Sequence, residues 1–126
     1  MDIVTLERRA SAGIAVITIF TGASQMVIPK LLLPLLGVEP SEAAAQLFAT
    51  VGMFMVLFGA AVLHALQRHE SAQVVLLWSG WQKIGAAILV SWGVNTGVFA
   101  QMTLWVAGFD FVSGLLFFKL RRSLPK

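Results

Sequence analysis

Four long apolar runs separated by short polar punctuation organise the chain, at about residues 10–28, 43–66, 74–94 and 98–118. Runs of this length with almost no charge predict membrane-spanning helices. The last two are 21 residues each, about 30 Å of helix, which matches a hydrocarbon core. The first run closes at Pro29-Lys30. It is followed by Leu31-Leu32-Leu33-Pro34-Leu35-Leu36-Gly37-Val38, which is apolar but too short and too broken by proline to span. Residues 31–40 therefore read as a loop in the membrane interface or one folded over the mouth of the bundle; a frayed continuation of the first helix is the plainer alternative. Glu39-Pro40-Ser41-Glu42 restarts a helix, with proline in the first turn and acids near its positive end. Gln67-Arg68-His69-Glu70 is a polar turn, and only Asn95-Thr96-Gly97 parts the last two runs, which must then be spatial neighbours. The predicted fold is all-α: one domain over residues 1–126, an antiparallel four-helix membrane bundle.

Charge gives this bundle a direction. An even number of spans puts the N-terminus, the second connection and the C-terminus on one side, with Arg8, Arg9, Arg68, Lys119, Arg121, Arg122 and Lys126, against Lys30 alone on the other. That bias predicts cytoplasmic termini. The net charge of +3 does not point to nucleic acid, because the basic residues cap apolar runs and form no groove-sized patch. Hydrophobic residues are 58% of the chain, charged ones 12%, and the mean hydropathy is +0.85, which excludes an ordinary water-soluble domain. Arg8-Arg9, the following apolar stretch and Thr21-Gly22-Ala23 resemble a leader and its cleavage site. Apolar character resumes through Met26, Val27 and Ile28, however, so the segment is expected to stay as a span. With no cysteine, the chain offers no disulfide, thiolate nucleophile or Cys-ligated metal.

Two charges fall inside the runs, Lys83 in the third and Asp110 in the fourth. Each costs roughly 2.5 to 3.5 kcal/mol on an insertion scale unless partnered or functional. Counted from the cytoplasmic ends at Val74 and Phe118, both lie about 12 to 14 Å deep, on adjacent helices at one level. Gly80, Lys83, Ala87 and Ser91 share one stripe of the third helix; Thr103, Ala107, Asp110, Ser113 and Gly114 share one on the fourth. Small residues on these stripes permit close helix packing. The charges are expected either to form a packed ion pair or also to line a ligand or ion pocket, with Ser79 and Gln82 at nearby levels and Gln101 extending it outward. His64, one turn inside the second run, is a weak metal or haem candidate, since His69 is the other histidine and sits in the adjacent turn; interfacial hydrogen bonding is the expectation, and no metal is predicted. No phosphate loop, paired carboxylates or nucleophile triad is present, so no catalytic residue is assigned. Trp78 and Trp92 fit aromatic belts at the two boundaries; Trp81 and Trp105 are deeper, where facing lipid, packing in the core and walling a pocket are all open and packing is the default.

Arg9 before the first span, His64 closing the second, Gln82-Lys83 in the third and Asp110 in the fourth together resemble the DoxX-like group of small four-helix bacterial membrane proteins. The likeness covers nearly the whole chain but consists of layout and scattered polar positions. It implies a multi-pass protein of the bacterial inner membrane; the group includes a membrane subunit associated with thiosulfate and quinone oxidation. Small multidrug transporters share the span count, but the charge bias and the absence of a charged residue between Arg9 and Lys30 argue against that group. The leading expectation is an accessory or structural protein acting by helix contacts in a homo-oligomer or larger membrane complex. The alternatives are a binder or transporter of a small apolar molecule, a quinone or lipid, at Lys83 and Asp110, and a membrane enzyme. No cofactor is expected beyond such a bound quinone or lipid.

Overall fold

The computed structural model describes residues 2–69 and 71–125. Among them the regular structure is entirely helical. The first helix, α1 (Ile3–Val27), starts where the Asp2 carboxylate accepts the Thr5 N–H at 2.7 Å, satisfying one of the free donors of a helix start. It ends at Ile28 because Pro29 has no N–H to continue the ladder. A short helix, α2 (Pro29–Leu32), and a 3-10 turn (Leu33–Leu36) follow. Ser41 then caps α3 (Glu42–Arg68), accepting the Ala44 N–H at 3.1 Å. Next comes α4 (Ala72–Asn95), then a 3-10 turn (Gln101–Thr103) leading into α5 (Leu104–Ser123).

Four of these helices are long and apolar enough to cross a membrane. Large apolar side chains cover the outside of the bundle, Phe20, Leu47, Leu89 and Val112 among them. An exterior of that kind needs a hydrocarbon solvent, and the chain is a multi-pass membrane protein.

The bundle is built from two closely packed pairs, α1 with α3 and α4 with α5, joined by lighter α1–α5 and α3–α4 contacts. Along the first pair, Arg8 meets the Leu66 carbonyl, Ala15 and Ile19 meet Gly59, and Gly22 meets Gly52. Along the second, Gly80 meets the Phe118 ring and Lys83 reaches Asp110, while Gln73 donates to the carbonyl of Leu124 just past α5 and Gly93 lies under the Phe99 ring of the connection before it. A dry cluster of Ala15, Val62, Leu76, Phe117 and Leu120 joins all four long helices below Lys83.

The structure differs from the sequence reading at both ends of the bundle. The apolar residues Val98, Phe99 and Ala100 do not begin the last helix: the connection runs over 96–100, and helix resumes at Gln101. Gly97 turns the chain at φ 80°, the Val98 and Phe99 N–H groups bond back to the Gly93 carbonyl, and the Ala100 N–H donates to the Leu36 carbonyl at 2.7 Å. That last bond ties the Leu33–Leu36 turn to the α4–α5 connection. The turn packs with Leu33 buried, while Leu31 and Leu35 stay exposed. The segment thus packs against the end of the bundle that holds the α4–α5 connection and presents leucines away from it at the same time. At the other end, α1 begins seven residues before the expected Ala10, which brings Glu7 into the bundle.

Candidate functional site

Lys83 lies at the middle of α4, eleven residues from Ala72 and twelve from Asn95, and is 3% exposed. Its ammonium donates to Thr18 Oγ1 on α1 at 2.7 Å and approaches Asp110 Oδ1 on α5 at 3.4 Å. It also stands 5.6 Å from the centre of the Phe109 ring. The Thr18 hydroxyl donates its own hydrogen bond to the Ile14 carbonyl at 2.8 Å, which leaves its oxygen free to accept from the lysine. At 3.4 Å the carboxylate contact is long for a charge-assisted hydrogen bond, which usually measures about 2.7 to 2.9 Å. The shorter contact is the one to Thr18, and this partner was not singled out in the sequence. One side chain thereby links three helices, including α1 diagonally opposite.

Ser79 is buried beside this group, and Gln82 lies next to it with its carbonyl oxygen unpartnered among the described residues. With Ala15, Thr18 and Lys83 they border a void of about 10 Å³, room for one water at most. A ligand the size of a quinone does not fit there.

Other residues selected from the sequence lie elsewhere. Gln101 is exposed in the 3-10 turn before α5, and His64 is exposed on α3, so neither joins the Lys83 group. Gly80 and Gly114 do bring α4 and α5 together: a Cβ on Gly114 would stand 3.0 Å from the Gly80 carbonyl oxygen, and one on Gly80 would strike the Phe118 ring. Ser113 is buried near them. Ala87 and Ala107 are buried, and with the exposed Ser91 they also line an open slot between α4 and α5 on the side of Lys83 toward the α4–α5 connection. Packing also fails to account for Trp105, which is 84% exposed, and Trp81 touches Phe118 edge-on while remaining half exposed. Both indoles face the hydrocarbon.

The sequence reading missed the inner face of α1. Its buried residues are Glu7, Ser11, Ala15, Thr18, Gly22 and Gln25, a seam spaced by threes and fours without one large apolar side chain. Glu7 is 5% exposed, and neither of its oxygens has a partner among the described residues; the same holds for Ser11 Oγ. Arg8, its neighbour in sequence, turns instead to the Leu66 carbonyl and His69. The available signal was the spacing of 7, 11, 18 and 25, which places four polar residues on one helical stripe.

No family model, no curated protein and no solved structure matches the chain.

Proposed function

We propose that this is a small accessory or structural membrane protein that works through helix contacts in a homo-oligomer or a larger membrane complex. The observation carrying this reading is the closed Lys83 group. The central charge of the bundle is engaged with Thr18 and Asp110, tying α1, α4 and α5 together, and the void beside it has room for one water at most. Activity then belongs to the outer surface, where partner helices meet the bundle. Purification in mild detergent followed by mass measurement tests this: self-association or a stably co-purifying membrane partner is expected, and a strict monomer with no partner in native membranes rejects it.

In this reading the helices run up and down, antiparallel, in a bacterial inner membrane, with both termini and the α3–α4 turn in the cytoplasm. The contact series along each pair, in which residue numbers rise on one helix as they fall on the other, supports that arrangement. So does the gathering of Arg8 with His69 and of Arg121 with Gln73 at one end, opposite the Lys30–Glu42 ion pair. The layout likeness to DoxX-like proteins is compatible with it.

A second reading, a binder of a small apolar molecule, is favoured by one specific feature. Between the outer halves of α4 and α5 lies an open slot of about 780 Å³, within the usual size range of ligand sites. It does not include Lys83 or Asp110, so the polar pair is not its anchor.

A further inference from the structure

The slot has a chemical polarity of its own. Its inner part is walled by Ile84, Ile88 and Phe111 and floored by the small residues Ala87, Ala107 and Gly108. Hydrogen-bonding side chains occur only toward the outer end, at Ser91, Trp92 and Asn95. From Ile84 to Asn95 the helix advances eleven residues, about 17 Å, close to half of a hydrocarbon core of about 30 Å. It begins level with Lys83 at the middle of α4 and ends at the outer boundary, so it is one leaflet long. Its rims, Ile88 and Trp92 on α4 and Leu104 and Phe111 on α5, face out of the bundle, which leaves the slot open sideways to lipid.

The three polar groups at its end are a hydroxyl, an indole N–H and a carboxamide. All can donate, and none carries charge. They suit neutral acceptors such as ester carbonyls at headgroup depth, where indole and amide groups are at home. No charged side chain lines the slot, and Lys30, at the same end of the bundle, is paired with Glu42. An anionic head would find no cation there. The inner end offers a polar head no partner either, because Lys83 is engaged with Thr18 and Asp110 and neither charged residue lines the slot.

We propose that this slot holds one acyl chain of a glycerolipid from the outer leaflet, with the ester carbonyls at Ser91, Trp92 and Asn95, and that it selects lipids without net negative charge. The proposal rests on the second reading above and specifies its ligand class and orientation.

Native mass spectrometry on the full chain, released from nanodiscs of equimolar phosphatidylethanolamine and phosphatidylglycerol with matched chains, tests it. The wild type is expected to retain one lipid, with phosphatidylethanolamine in excess. Gly108→Leu, at a position where a Cβ meets nothing within 4 Å, fills the slot and is expected to reduce retention at least about tenfold with an unchanged thermal midpoint in detergent. Asn95→Ala is expected to reduce it about fivefold, the equivalent of one hydrogen bond. Should Gly108→Leu lower the midpoint, Ser91→Leu at an exposed position of the same slot gives the readout. A wild type that retains a lipid equally well with the slot filled overturns the slot assignment and leaves the second reading standing. Retention of no apolar molecule at all removes both. Preferential retention of phosphatidylglycerol, or loss of self-association in place of lipid on filling the slot, also overturns the proposal, the latter by making the slot a contact between copies of the chain.

Discussion

At the residue scale, the energetics turn on one lysine with two partners. Lys83→Ala leaves Asp110 without its cation inside the bundle, and Asp110→Ala leaves Lys83 with the Thr18 hydroxyl alone. Breaking a buried pair from one side commonly costs about 3 to 5 kcal/mol, whereas replacing both members costs far less. Thermal unfolding in detergent is expected to show large losses for each single variant and substantial recovery in the double variant. Additive losses would mean that the two side chains do not interact. Because Thr18 supplies the shorter contact, Thr18→Val is expected to cost about 1.5 to 3 kcal/mol, the range for a hydrogen bond to a charged group. Asp2 offers a milder test outside the membrane. The Thr5 backbone N–H, and its hydrogen bonding generally, holds the exposed Asp2 carboxyl below the usual carboxylate range. A lowered folded-state value means that the cap contributes fully above the unfolded value, about 3.9, and is lost as pH falls through the folded value. Amide exchange at Thr5 and Leu6 should therefore quicken as pH drops below about 4 relative to Asp2→Asn, with the intrinsic pH dependence of exchange removed by that comparison; identical profiles would contradict the cap.

At the scale of elements, the two tight helix pairs depend on glycine backbones in contact. A Cβ on Gly22 would collide with the Gly52 carbonyl oxygen and stand 2.9 Å from Met55 Cβ, whereas one on Gly13 of the same helix meets nothing within 4 Å. Gly22→Ala is expected to cost about 1 to 3 kcal/mol through overpacking, and Gly13→Ala to be neutral or to stabilise by up to about 1 kcal/mol. Equal melting temperatures for the two variants would refute the close approach of α1 and α3. The join between the Leu33–Leu36 turn and the α4–α5 connection depends on a different property. Gly37 has φ 79°, and a Cβ there would stand 2.9 Å from the Ala100 nitrogen, so Gly37→Ala combines backbone strain with a clash. Its expected signature is faster amide exchange at Ala100, whose N–H is held by the Leu36 carbonyl.

At the scale of the whole molecule, orientation is the property to measure. Reporter fusions after Arg68 and at the C-terminus are expected to read cytoplasmic, and fusions near Glu39 and Thr96 external. The seven basic residues on one side against one on the other underlie that expectation. Reversed labels would overturn it and would move the slot between α4 and α5 to the inner leaflet.

Membrane character and the number of long apolar helices follow from the sequence by itself, because the cost of leaving backbone polar groups unpaired in hydrocarbon allows an apolar run of this length little except a helix. The shared depth of Lys83 and Asp110 was also legible, since rise per residue converts position into height. What hydropathy cannot express is direction. Val98 to Ala100 are as apolar as a helix turn, yet they fold back on Gly93 and Leu36, a choice made by contacts from distant parts of the chain. Glu7 and Arg9 stand two residues apart, but helical rotation turns the first inward and leaves the second exposed. Likewise Ala87 and Ala107 are buried as small packing residues are expected to be, and only the tertiary structure makes them the floor of a slot as well. Local sequence sets which segments enter the membrane and how deep each residue lies; the tertiary structure decides which way each side chain faces, because only neighbouring helices define an inside.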